Sequence, residues 1–238
     1  MKIKFCLNKN LDRQMISEFI NINDGGGIDF AKGIIKTHPK LKKIIPSSNK
    51  LSTNDKKIYL QEYVNFYYNK NKSPMLQKID LIKKAWKTKE TVYVDTTKDF
   101  FDNFDFSKND YTAYASIINC NPRFLESKTF QFFYRKSESD AIHTIAHEIL
   151  HFIFFDFIKK KMKKEIKDLS EDQLWDLSEI FNVVLLGSNR YKGVVDKKLV
   201  IAYPDHQHYI PTFKKAYKNS NNAKEFIEQG ILIILNKK

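Results

Sequence analysis

The chain has 238 residues, 42% of them hydrophobic, and a formal net charge of +13. This apolar fraction is enough for a substantial core, in one large domain or two small ones. With two cysteines the chain is not a disulfide scaffold, and the pair fits a reducing compartment. The N-terminus lacks a signal-peptide core and no apolar run approaches transmembrane length, so we expect a cytoplasmic protein without a membrane partner.

The positive charge raises the question of a nucleic-acid partner. Lysines are spread along the whole chain, and only four of the 41 basic residues are arginine. Phosphate-binding surfaces usually favour arginine more strongly. A nucleic-acid partner is therefore not expected, although a non-enzymatic basic protein that binds nucleic acid or another protein is the alternative to the functional hypothesis below.

Residues 1–90 are predicted to be mainly helical after a first strand at the N-terminus. The predicted helices span Leu11 to Ile22, Ile28 to Ile45 with a break near Pro39, Ser52 to Asn69, and Pro74 to Trp86. Between the first two, Asn23 to Gly27 predicts a turn or flexible loop, and no Gly-Lys-Ser/Thr follows to make it a phosphate-binding loop. The sequence leaves open whether this region is a cover, a specificity element or an inhibitory segment.

Four further segments precede the central motif. Thr91 to Asp95 is predicted to be a strand, and Asp99 to Phe106 a loop or short helix anchored by its aromatic rings. Residues 111–119 and 129–134 are rich in residues that favour strands, and Asn121-Pro122 lies in the connection between them.

The most informative motif is His147-Glu148-Ile149-Leu150-His151, an H-E-x-x-H pattern. At 3.6 residues per turn, His147 and His151 lie on the same face of a helix, where both imidazoles can bind one zinc ion. Glu148 lies beside that face and can reach a water molecule at the metal without being a ligand. The pattern therefore predicts a zinc site with a glutamate general base.

The surroundings of the motif predict a long, buried helix. Residues 139–158 contain no glycine or proline, Ser137, Ser139 and Asp140 are N-cap candidates, and lysines follow from residue 159. Apolar residues occur on nearly every side, which is typical of a buried helix. Buried histidines need partners, and a metal ion would provide them. His143 lies about 12 Å from His151 along the axis and is expected to be a core or supporting residue.

A third metal ligand is expected from the next predicted helix. This helix begins at a capping box formed by Ser170 and Gln173 and ends at Gly187. The metzincin pattern fails, because phenylalanines occupy its glycine and third histidine positions. Asp172, Asp176 and Glu179 share one face of the second helix at spacings of three and four residues.

Residues 139 to 187 resemble the gluzincins, the thermolysin-like clan in which H-E-x-x-H is completed by a glutamate on the following helix. The resemblance implies that His147, His151 and Glu179 hold zinc and that Glu148 is the general base. Asp176 and Asp172 remain alternatives to Glu179. The resemblance also implies that Asn182, three positions after the ligand glutamate, supports a zinc-binding histidine by accepting a hydrogen bond from the histidine ring.

During hydrolysis, negative charge develops on the carbonyl oxygen of the bond that is cleaved. Members of the clan often stabilise this charge with a histidine or tyrosine downstream of the glutamate helix. Four residues qualify here, and the sequence does not order them: Tyr203, His206, His208 and Tyr209. The resemblance further implies that a peptide or protein substrate adds as a strand to a sheet edge, which residues 111–119 and 129–134 would supply.

The expected fold is therefore α+β and zincin-like. It has a small mixed β-sheet over an active-site helix and a glutamate helix, with additional N-terminal helices. Residues 91–238 would form the catalytic domain, with residues 1–90 either separate or packed with it as one unit. The expected activity is zinc-dependent hydrolysis of peptide bonds.

Overall fold

The computed structural model describes residues 1–45, 51–106 and 108–236 and has a mixed α+β fold that is mostly helical. The strands are β1 (Lys2–Cys6), β2 (Asp110–Ser116), β3 (Arg123–Phe124) and β4 (Thr129–Phe133). The α-helices are α1 (Lys9–Phe19), α2 (Phe30–Thr37), α3 (Thr53–Phe100), α4 (Glu138–Lys161), α5 (Glu171–Leu186), α6 (Ile210–Lys218) and α7 (Ala223–Leu235). Short 3-10 helices span Pro39–Ile44, Asn189–Tyr191, Lys197–Leu199 and Pro204–Tyr209.

The four strands form one mixed sheet in the order β1-β2-β4-β3. β1 and β4 run parallel to β2 on its two sides, and the short β3 runs antiparallel to β4. The predicted strands at the N-terminus and near residues 111–119 and 129–134 are confirmed. However, β2 and β4 lie inside the sheet, so the expectation that they supply its edge is wrong. The edges are β1 and β3, because each pairs with the outer side of an interior strand.

Helix α3 is much longer than predicted. It runs through Pro74 without ending, so the separate helix predicted from Pro74 is wrong, as is the strand at residues 91–95. The buried residues of its second half, from Ile79 to Phe100, recur at helical spacing. Tyr93 is fully buried and donates a hydrogen bond to the backbone oxygen of Ala146 on α4. Packing against α4 therefore outweighs the weak strand preference of this segment.

The N-terminal region shares its core with the rest of the chain. α3 crosses residue 90 without interruption, and β1 belongs to the same sheet as β2. The buried carboxylate of Asp12 on α1 accepts hydrogen bonds from Ser116 at the end of β2 and from Gln131 on β4. Within the described residues, the N-terminal region thus shares this sheet and its core with the segments that follow residue 90.

Helix α4 lies at the centre of the fold, as its all-round apolar sequence predicts. Phe152 stacks on Tyr111 of β2, with ring centroids 5.5 Å apart, and also contacts Phe130 of β4. On another side of α4, Phe154 packs against Phe181 of α5 at 5.1 Å. The predicted loop anchored by its rings is confirmed at residues 101–106, whose phenylalanines are buried.

By length and composition alone, α4 is long and apolar enough to cross a membrane. No apolar run of that length was expected from the sequence. Some 78% of its most apolar window is buried inside the protein. The buried core helices of folded domains pass the same test, so this finding is weak evidence for a membrane span.

Candidate metal centre

Helices α4 and α5 hold the predicted ligands, and both begin where the sequence indicates. The Ser137 hydroxyl caps α4 by accepting a hydrogen bond from the backbone N–H of Asp140. Ser170 and Gln173 form the predicted capping box of α5. These caps satisfy backbone N–H groups at the helix ends. They define where each helix starts and therefore which face its side chains present to the neighbouring helix.

His147, His151 and Glu179 form a buried cluster that could hold a metal ion. The Nε2 atoms of the two histidines lie 2.9 Å apart. Glu179 Oε2 lies 3.2 Å from Nε2 of His147, and Glu179 Oε1 lies 3.3 Å from Nε2 of His151. All the candidate ligand atoms lie within 4.8 Å of one another. The two helices thus bring three donor groups to one point.

The protonation of this cluster fits a cation. Burial lowers the pKa of His151 to about 3, so its ring is neutral. The Glu179 carboxylate is 2% exposed and lies 2.8 Å from the Arg123 guanidinium, which favours its ionised form. The Nδ1 atoms of both histidines have no hydrogen-bond partner. If each Nδ1 carries the ring proton, both Nε2 lone pairs and the carboxylate face one another, an arrangement that a cation stabilises.

Glu148 lies beside the cluster and is itself buried, with 4% of its surface exposed. Its Oε2 atom has no hydrogen-bond partner. Burial raises the pKa of Glu148 to about 7, although the neighbouring His147 and Arg123 oppose this shift. The carboxyl group can therefore both accept and release a proton near neutral pH.

Arg123 is a residue of the site that the sequence analysis did not identify. It lies on β3, and its Nη1 atom is 2.8 Å from Glu179 Oε1 and 3.9 Å from Glu148 Oε2. The only signal in the sequence is its rarity, since it is one of four arginines in a lysine-rich chain. The edge strand β3 thus brings a positive charge to both glutamates.

Asp172 and Asp176, the alternatives to Glu179, lie elsewhere. Asp172 is exposed, and Asp176 Oδ1 lies 2.8 Å from Nε2 of His206. The prediction that Asn182 accepts a hydrogen bond from a histidine ring is wrong. Its amide N–H donates a hydrogen bond to the backbone oxygen of His147 at 3.1 Å, and its Oδ1 has no hydrogen-bond partner. Asn182 therefore ties α5 to the backbone of α4 and does not hold an imidazole ring.

Of the four downstream candidates, Tyr203 lines a cavity together with Glu179, and the other three do not line it. Burial together with the charges of Glu179 and Glu148 raises the pKa of Tyr203 above the ordinary tyrosine value. His206 is buried, pairs with Asp176 and packs on Trp175. His208 is exposed, and Tyr209 packs edge-on against Phe213. Among these four, the structure brings Tyr203 to the cluster.

His143 lies one turn before His147, with ring centroids 6.0 Å apart, and is not part of the candidate metal group among the described residues. Burial and the nearby His147 lower its pKa to about 3. This position agrees with the expectation that His143 is a core or supporting residue.

Comparison of the chain with protein-family models, with curated proteins and with solved structures finds no match. The function is therefore inferred from the geometry of the site.

Proposed function

We propose that this chain is a zinc-dependent metallopeptidase of the gluzincin type, with a zincin-like arrangement of sheet, active-site helix and glutamate helix. The observation that carries the proposal is the convergence of His147, His151 and Glu179 on one point, with the carboxyl group of Glu148 buried beside it. Two histidines and one glutamate are the ligand set of catalytic zinc sites that keep one position open.

When bound, zinc would lower the pKa of a water molecule to about 7 and polarise the carbonyl group of the scissile bond. Glu148 would accept the proton of the attacking water at Oε2, which has no hydrogen-bond partner, and return it to the leaving amine. Its surroundings suit this role, because burial brings the pKa of the carboxyl group to about 7. His147, His151 and Glu179 would hold the ion beside Glu148.

Two donors are available for the carbonyl oxygen as negative charge develops on it. The Arg123 guanidinium has five N–H groups and pairs with Glu179 through Nη1, which leaves others to donate to a substrate. The phenol of Tyr203 lines the same cavity. Donors positioned in a buried site stabilise such charge more strongly than water does. Tyr203 is therefore the preferred downstream residue, and His206 acts with Asp176 outside the reaction.

The test combines metal analysis with a peptide library. Purified wild-type protein should retain about one zinc per chain and cleave peptides, and Glu148→Gln should keep the metal but lose cleavage. Glu179→Ala should lose the metal. Asp176→Asn, one turn earlier on α5, is the matched control and should retain it. Wild-type zinc content in Glu179→Ala would refute the ligand assignment.

The same measurements address the alternative hypothesis. Absence of zinc from both wild type and Glu148→Gln, together with salt-sensitive binding of DNA, would support a non-enzymatic basic protein, because electrostatic binding to phosphates weakens with salt.

A further inference from the structure

Strand β1 forms one edge of the sheet, and β3, which carries Arg123 of the candidate metal centre, forms the other. Among the described residues, β1 pairs with β2 on one side only. The backbone N–H of Lys2 donates a hydrogen bond to the oxygen of Asn109, just before β2. Successive residues of a strand turn their backbone groups to opposite sides, so Ile3 and Phe5 turn theirs to the free side. Such an edge can accept a further strand.

A groove of about 450 Å³ lies between this edge and α3. Ile3 and Phe5 line the groove from the strand, and Trp86 lines it from the helix. An extended peptide along β1 would direct every second side chain toward these apolar residues. All the lining residues lie within residues 1–90, the region whose role the sequence left open.

The indole of Trp86 is a buried hydrogen-bond donor that lacks an acceptor. Its side chain is 2% exposed, and its Nε1 atom has no hydrogen-bond partner in the described part of the chain. The ring packs against Tyr93, with centroids 5.4 Å apart. Buried tryptophan N–H groups usually have a partner, because a donor that loses water without gaining an acceptor is costly. A carbonyl or carboxylate oxygen of a molecule in the groove would be that acceptor.

Lysines predominate among the charged residues of the groove. Four lysines and two acidic residues line it: Lys2, Lys83, Lys84, Lys87, Asp80 and Glu90. Lys87 and Glu90 pair with each other at 2.8 Å. The other three lysines form no ion pair among the described residues, and they outnumber Asp80. The groove is therefore positively charged and favours a ligand that carries carboxylates.

The backbone groups of β1 indicate which kind of anionic partner fits. The outward C=O groups of Ile3 and Phe5 need donors, which peptide N–H groups provide and nucleic-acid phosphates do not. A second copy of the chain is disfavoured, because each copy has a net charge of +13.

We infer that this groove binds an extended acidic segment of a partner protein, which adds to β1 as a further strand and places an oxygen at Nε1 of Trp86. The groove shares no residue with the candidate metal centre, so the inference does not depend on the proposed peptidase function.

The experiment uses the full-length Glu148→Gln chain, so that the proposed activity cannot consume the probe. The probe is the blocked peptide acetyl-Glu-Val-Glu-Val-Glu-Val-Glu-amide, and the comparison peptide has lysine in place of each glutamate. Titration calorimetry at low salt should show at least about tenfold tighter binding of the acidic peptide, and added salt should weaken it. The affinity should be the same with zinc and with a metal chelator, because the groove is separate from the metal centre.

Two further measurements test the hydrogen bonds. The chain has two tryptophans, so an isotope-labelled sample gives two indole N–H signals in a nuclear magnetic resonance spectrum, which Trp175→Phe assigns. The Trp86 signal should shift when the acidic peptide binds, and the Trp175 signal should not. The same peptide N-methylated at every peptide bond keeps its charges but loses its donors, and it should bind at least about tenfold more weakly.

Charge reversal on α3 tests the position of the peptide. The double variant Lys83→Glu, Lys84→Glu should weaken binding of the acidic peptide by at least about tenfold at low salt. The matched control is Lys214→Glu, Lys215→Glu, which makes the same change in net charge at exposed positions on α6 and should change the affinity by less than about threefold. Circular dichroism and the melting temperature establish that each variant is folded.

Several results would overturn the groove assignment. They are equal affinity for the acidic and basic peptides, no binding of either, full affinity in the folded α3 variant, and a stationary Trp86 signal at saturation. Undiminished binding of the N-methylated peptide would exclude an added strand, and loss of binding with chelator would place the peptide at the metal centre. An oligonucleotide that displaces the peptide, binds more tightly and is weakened by the same charge reversal would assign these lysines to nucleic acid instead. Selective binding with the expected dependences would support the groove even if the wild type cleaves no peptide.

Discussion

The ion pair between Arg123 and Glu179 allows a quantitative test of the site. The two side chains are 15% and 2% exposed, and their charged atoms lie 2.8 Å apart. At an effective dielectric constant of about 20, Coulomb's law gives an attraction of about 6 kcal/mol at this distance. Desolvation offsets several kcal/mol of it. We expect a coupling free energy of about 2–4 kcal/mol, within the range measured for close charge pairs.

The measurement is a double-mutant cycle of Arg123→Met and Glu179→Gln, which remove the charges and keep most of the volume. Urea unfolding of the four proteins is measured with a metal chelator and again with saturating zinc. With the chelator, the double variant should be about 2–4 kcal/mol more stable than the two single changes predict by addition. Zinc should reduce the coupling, because the ion then shares the Glu179 carboxylate.

The pair Lys224–Glu228 on α7 is the control for this cycle, since it joins two half-exposed side chains at 3.7 Å and should show no substantial coupling. A coupling below about 0.5 kcal/mol for Arg123 and Glu179 would show that the guanidinium does not lie against the carboxylate, and the reasoning about the site would fail.

Three further predictions concern the scaffold. Burial raises the pKa of Asp12 to about 6 from 3.8, so the folded state binds the proton more tightly than the unfolded state does. The stability of wild type relative to Asp12→Asn should therefore fall by up to about 3 kcal/mol as pH rises from 4 to 7. A pH-independent difference between the two proteins in urea unfolding would contradict this. Pro74→Ala should raise the stability of the chain by about 2 kcal/mol if α3 is continuous, because proline costs about 3 kcal/mol inside a helix and constrains the unfolded chain by about 1; an unchanged melting temperature would indicate a break there. Gly27→Ala should lower the stability of the folded chain by about 2 kcal/mol, since the φ of Gly27 is +82° and a Cβ atom there would meet Pro204. Gly33→Ala in α2 is the control and should be neutral or stabilising, because no atom lies within 4 Å of a Cβ atom there. Equal melting temperatures for the two variants would contradict the close contact between Gly27 and Pro204.

Local signals in the sequence were sufficient for the two helices of the site. The spacing of His147 and His151 places their rings on one face, and the caps at Ser137 and Ser170 define where the helices begin. Such features depend on neighbours three or four residues apart, which a single sequence displays directly. The position of Glu179 opposite the histidines also agrees with its apolar surroundings on α5.

The sequence alone did not determine the path of the chain around these helices. Whether residues 91–95 form a strand or continue α3 was decided by burial of Tyr93 against α4, which is more than 50 residues away. The interior position of β2 was likewise decided by pairing with β1, about 100 residues earlier.

The tertiary structure alone also places Arg123 against Glu179, Tyr203 rather than His206 at the cavity, and Gly26 beside the Tyr203 ring. These contacts join segments that are far apart in sequence, and no periodicity or local motif encodes which of them meet. The candidate metal ligands are therefore visible in the sequence, whereas the cavity beside them arises only when the core brings distant segments together.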